Sequence, residues 1–146
     1  MPETKLQSQA VKNGSIIADK LGLSPQTSYV STDQSTTSNS YTDLATAQSV
    51  TITVGANGLA LAIWSSGIYT SATAKRVSIA VSGATTVSAD DAWSLRCDTA
   101  SFSTTQSTTH LFTGLTAGTN TFTLKFKSSG SATANFFERR LTVIPL

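Results

Sequence analysis

The chain has 146 residues, 39% of them hydrophobic and only 12% charged, and a formal net charge of +2. That length suits one domain with a real core. The basic residues fall in scattered pairs (Lys75-Arg76, Lys125 with Lys127, Arg139-Arg140), which argues against nucleic acid and against an anionic membrane as partners.

Ser and Thr fill about a third of the chain, far above ordinary usage. β-Branched Thr suits the solvated side of a pleat, so the composition points to extended sheet. Residues 1–26 differ from the rest. They carry Glu3, Lys5, Lys12, Asp19 and Lys20 among sparse apolar residues, and Gly14 and Gly22 cut any helix short. We read them as an N-terminal arm, with residues 27–146 as the folded domain. Val11, Ile16, Ile17 and Leu21 are too few for a core and are the candidate anchoring residues. Residues 1–23 hold no continuous apolar run, so neither a secretory signal nor a transmembrane helix is expected, and synthesis in a cytoplasm is.

Residues 27–39 read as a short strand and a loop, and Tyr41 and Leu44 open the sandwich proper. In residues 49–64, SVTITVGANGLALAIW, Val50, Ile52 and Val54 alternate with Thr51 and Thr53. The Gly55-Ala56-Asn57-Gly58 turn that follows predicts an antiparallel hairpin. Its second arm, residues 59–64, is apolar throughout and should be central and buried on both faces. Val77, Ile79 and Val81 mark the next strand, and residues 83–92 a long loop. Trp93, Leu95 and Cys97 share one face of a short strand. Residues 99–107 read as a polar loop, and Leu111 and Phe112 belong to a strand. Residues 114–120 turn, and Phe122, Leu124 and Phe126 alternate with Thr123, Lys125 and Lys127. In the last strand, residues 134–144, the inward set is either Phe137, Arg139, Leu141 and Val143 or the opposite face with Phe136 and Ile144. This is an all-β pattern of about eight short strands, an antiparallel β-sandwich of jelly-roll type preceded by an extended arm.

Little in the sequence points to catalysis. Asp90-Asp91 is the sole adjacent carboxylate pair and reads as a turn, without the further oxygen ligands that calcium wants. A single histidine, His110, excludes a two-histidine metal site, and no GxSxG elbow, P-loop or GxGxxG is present. The lone Cys97 cannot form an intrachain disulfide and reads as a core residue. Trp64, Trp93, Phe122 and Phe126 fall on apolar faces, whereas Tyr29, Tyr41 and Tyr69 are the better candidates for exposed contacts. Glu138, Arg139 and Arg140 put charge inside an apolar strand, which marks a candidate subunit contact. No enzyme activity and no cofactor are expected.

Four segments carry a resemblance: residues 40–64 (SYTDLATAQSVTITVGANGLALAIW), 76–86 (RVSIAVSGATT), 110–127 (HLFTGLTAGTNTFTLKFK) and 136–146 (FFERRLTVIPL). Together they resemble the small β-sandwich domains on the virions of tailed phages, especially those of actinobacteria. AVKNGSIIADKL, residues 10–21, resembles one copy of the repeats that precede such domains in phage fibre proteins and build a trimeric shaft. The resemblance implies a structural virion protein, usually trimeric, assembled in the host cytoplasm and carried on the capsid surface. A capsid decoration (cement-type) protein contacting the major capsid protein or another virion protein is the first expectation. The alternative is a tail-fibre or fibre-tip adhesin that binds a host-surface receptor or glycan.

Overall fold

A computed structural model of the chain describes residues 23–70, 74–99, 101–129 and 132–146. The arm-anchoring candidates Val11, Ile16, Ile17 and Leu21 lie outside the described residues. Nine strands are described: β1 (Gln26–Val30), β2 (Gln34–Thr36), β3 (Ser49–Val54), β4 (Ala60–Thr70), β5 (Lys75–Gly83), β6 (Leu95–Cys97), β7 (Phe102–Phe112), β8 (Gly118–Ser128) and β9 (Ala134–Pro145).

They form two antiparallel sheets. One runs β1-β9-β4-β7, with β2 also on β9; the other runs β3-β8-β5-β6. β1 and β2 lie along the same edge of β9 and act as one interrupted strand. Eight strands then follow jelly-roll order, crossing between the sheets at every connection except that from β5 to β6, and the sandwich is as the sequence pattern predicts. Strand pairing among the described residues begins at Gln26, ahead of Tyr41, where the sandwich proper is expected to open within the 27–146 domain, because β1 pairs with β9 from Gln26↔Val143 to Val30↔Arg139.

The expected hairpin over residues 49–64 does not form. The 55–58 turn is present, with Gly58 N–H donating to Gly55 O at 3.1 Å. It carries the chain from one sheet to the other, however, so β3 pairs with β8 and β4 with β7 and β9. A tight turn between two apolar runs does not distinguish a hairpin from a crossing between layers. Residues 99–107 also depart from expectation, because most of them belong to β7, which pairs with β4 from Phe102 to Phe112. Trp93 lies in a single 3-10 turn, Asp91–Trp93, ahead of β6.

The inward alternation of β3, β5 and β8 is as predicted. Val50, Ile52, Val54, Val77, Ile79, Val81, Phe122, Leu124 and Phe126 are all buried. They face Ala60, Ala62, Trp64, Ile68, Phe136, Leu141 and Val143 of the first sheet. Ring pairs bridge the layers: Phe112–Phe122 at 5.3 Å and Phe126–Phe136 at 4.9 Å between centroids. The buried Trp64 indole donates to Val77 O at 3.2 Å, so the largest core side chain leaves no donor unpaired.

β9 explains why alternation could not choose its inner face. Ser65 pairs with Arg140 but Gly67 with Phe137, so β9 carries one extra residue there. Glu138 takes the left-handed conformation at φ 47°. The bulge flips the parity, so Phe136 faces inward on one side of it and Arg139, Leu141 and Val143 on the other.

Candidate functional site

The two sheets differ on their outer faces. Outside the second sheet lie Thr51, Thr53, Thr121, Thr123, Lys125 and Lys127, a wetted surface. Lys125 meets Asp43 there at 2.7 Å. The first sheet is different. Its register brings Leu61 beside Leu111 and Ile144, and Ile63 beside Thr109 and Thr142. Ser65 lies beside Arg140, which is opposite Tyr29, and Gly67 and Tyr69 lie beside Phe137 and Asn135. Ile63, Tyr69, Leu111 and Tyr29 are 41%, 45%, 46% and 47% exposed. Residues 59–64 are therefore central, as predicted, but not buried on both faces, because nothing among the described residues covers this side. Exposed apolar side chains gathered on one sheet face make it the candidate interaction surface.

The β9 bulge sits at the middle of this face. A Cβ on Gly67 would stand 2.3 Å from the Phe137 ring, so glycine lets that ring lie against the β4 backbone. Next to it, the Tyr29 hydroxyl donates to the Glu138 carboxylate, and the Arg140 guanidinium stands 4.2 Å from the Tyr29 ring centroid. The bond to Glu138 pushes the Tyr29 phenol above its ordinary pKa. Of the three candidate subunit-contact residues, Glu138 and Arg140 thus meet on the outer face.

Arg139 does not join them. It is fully buried, with Nη2 donating to Gln34 Oε1 at 2.9 Å and its guanidinium 5.4 Å from the Phe126 centroid. Burial lowers its pKa. Its Nε and Nη1, and Gln48 Oε1, have no partner among the described residues. Sequence reasoning grouped the three charges because it could not see the bulge.

The remaining candidates have contacts within the fold. Asp90 Oδ1 accepts from Ala92 N–H at 2.8 Å and caps the 3-10 turn. Asp91 gathers Lys127 Nζ at 2.7 Å, Arg76 Nε at 3.4 Å and the Tyr41 hydroxyl at 2.8 Å. Of the three tyrosines proposed as exposed, Tyr41 is thus half-buried and engaged. Lys127 above all holds the Asp91 carboxyl below the usual carboxylate range. That lowered pKa adds stability above the unfolded value of about 4, lost as pH falls through the folded one. Because Asp91 is half-exposed, Asp91→Asn should cost about 0.5–1 kcal/mol at neutral pH. The gap from the wild-type protein should close in strong acid, as urea titrations at the two pH values would show.

Asp98 pairs with Arg96. His110 stacks on Trp93 at 5.1 Å, and burial lowers its pKa. Cys97 is buried, with Lys75 Nζ 3.9 Å from its sulfur. Among the described residues, no three His, Cys, Asp or Glu side chains are placed to hold a metal ion. A groove between the β1 and β3 edges, lined by Ser24, Gln26, Thr51, Ile52, Thr53 and Pro145, carries no charged residue.

Neither a family model nor a curated protein matches the chain. Solved structures do. TmCBM61 in complex with beta-1,4-galactotriose aligns at 10% identity over 84% of this chain and 83% of its own, with a TM-score of 0.38. Dimeric latent PorU from Porphyromonas gingivalis aligns at 10% identity over 80% of this chain and 13% of its own, also with a TM-score of 0.38. A family two carbohydrate esterase from Cellvibrio japonicus aligns at 11% identity over 85% and 34%, with a TM-score of 0.29.

Proposed function

We propose that this protein is a non-enzymatic structural component of a phage virion, a capsid decoration protein that docks through the outer face of its first sheet. The observation that carries the reading is that face itself: exposed Ile63, Leu111, Tyr69 and Tyr29 around a charged centre of only Glu138 and Arg140. An interface of this kind has an apolar body and a few oriented polar groups. The resemblance over residues 40–146 supplies the virion setting, and with it self-association, a trimer being the implied state.

A second reading is a host-binding adhesin. It is favoured by the clustering of Tyr29, Phe137 and Tyr69 beside Asn135, Glu138 and Arg140, since rings and fixed polar groups are what a sugar surface needs. Gold-labelled protein imaged on phage particles tests both. Label on the head that Ile63→Lys reduces at least tenfold supports decoration. Label confined to the tail, with glycan-array binding lost in Tyr69→Ala, supports the adhesin. No label on any particle would sink both.

A further inference from the structure

β7 is an edge strand of 11 residues, and no described strand pairs with its free side. Its sequence, FSTTQSTTHLF, contains no charged residue and no proline, and its register with β4 runs without a bulge. Folded proteins ordinarily protect a long edge with one of those devices. The other edges here are protected: β6 has three residues, β3 has six, and the β1–β2 edge is broken beside the Glu138 bulge.

We propose that β7 pairs antiparallel with β7 of a second copy across a two-fold axis at Ser107. About that residue two of the five facing pairs are identical, and the other three are Ser103 with Leu111, Thr104 with His110 and Gln106 with Thr108. Phe102 would face Phe112, Thr105 would face Thr109, and Ser107 would face its own mate, so all 11 residues overlap. A two-fold axis through a charged strand sets charges against one another, and β7 carries none. Paired residues share a face, so the outer surface of the first sheet would run on from one copy into the next, with Leu111 facing Ser103 of the second copy. The outermost strands of the joined sheet would then be the interrupted β1–β2 edges, which makes the contact closed rather than fibre-forming. This contact is separate from the docking face and could join two trimers as well as two monomers, so it requires an even number of copies.

Two measurements on the full chain test it. Ser107→Cys would place its sulfurs on strands whose facing Cα atoms are about 4.5–5.5 Å apart, within disulfide range. Thr105→Cys, equally exposed, would face Thr109 and not itself. Oxidation should therefore cross-link Ser107→Cys and leave Thr105→Cys uncross-linked. By light scattering, the wild-type protein should have an even-numbered mass. The double variant T105K/T109K should halve that mass, and mixing it with T105E/T109E should restore it. A wild-type monomer or trimer at about 100 μM, a strength demanded of even a weak interface, would overturn the proposal. So would an unchanged mass in the lysine variant or equal cross-linking of both cysteine variants.

Discussion

Ile52→Asp and Leu124→Asp should each leave the chain unfolded. Ile52 is 4% exposed and Leu124 fully buried, on strands whose neighbours are apolar on the same side. Burying an uncompensated carboxylate in this apolar cluster costs several kcal/mol, comparable with the whole stability of a domain this size. Thr51→Asp and Thr123→Asp change the next residue along, on the wetted face. Thr51 gives up a 2.8 Å hydroxyl contact to Thr121, yet both changes should cost no more than about 1 kcal/mol. Circular dichroism and urea denaturation of the four variants would measure this. Equal damage from the threonine changes would mean that the second sheet is covered on both sides.

Gly83→Ala should be strongly damaging for a single added methyl group. Gly83 has φ +107°, a conformation that L side chains rarely adopt. A Cβ there would also stand 2.5 Å from Thr119 O, a backbone atom that already accepts from Ala84 N–H at 2.9 Å and cannot swing aside. Strain and clash together should cost roughly 3 kcal/mol or more. Gly55→Ala is the control: its added Cβ would meet only Asn57 Oδ1 at an ordinary 3.5 Å, and its effect should stay within about 1 kcal/mol. Thermal unfolding of the pair would show the contrast.

The buried faces of β3, β5 and β8 were legible because period-2 alternation is enforced by one dry side and one wet side. The sandwich class followed from the same signal repeated. What escaped was partnership. Jelly-roll strands pair with distant segments, so the turn at residues 55–58 looked like the tip of a hairpin although it crosses between sheets. β7 escaped because its Ser and Thr residues resemble a loop when neither face is fully buried. The outer face of the first sheet was half legible. Tyr29 and Tyr69 stood out as exposed contacts, but the all-apolar run of β4 read as double burial. Glu138 and Arg140 were marked as a contact, while Arg139 was included wrongly because the bulge at Glu138 breaks the alternation that assigned its side.

The seam between β1 and β9 also fixes when folding can finish. Gln26 waits for Val143, and at about 5–20 residues per second a ribosome takes on the order of ten seconds to supply it. β4 likewise lacks one neighbour until β9 emerges. The first sheet therefore closes only once β9 has emerged, and β1 and one side of β4 spend that interval unpaired. A chain dense in Ser and Thr and thin in aliphatic runs tolerates such a delay, since few of its segments are apolar enough to seek the wrong partner. Hydroxyl-rich composition thus protects the nascent polypeptide as well as wetting the finished sheets.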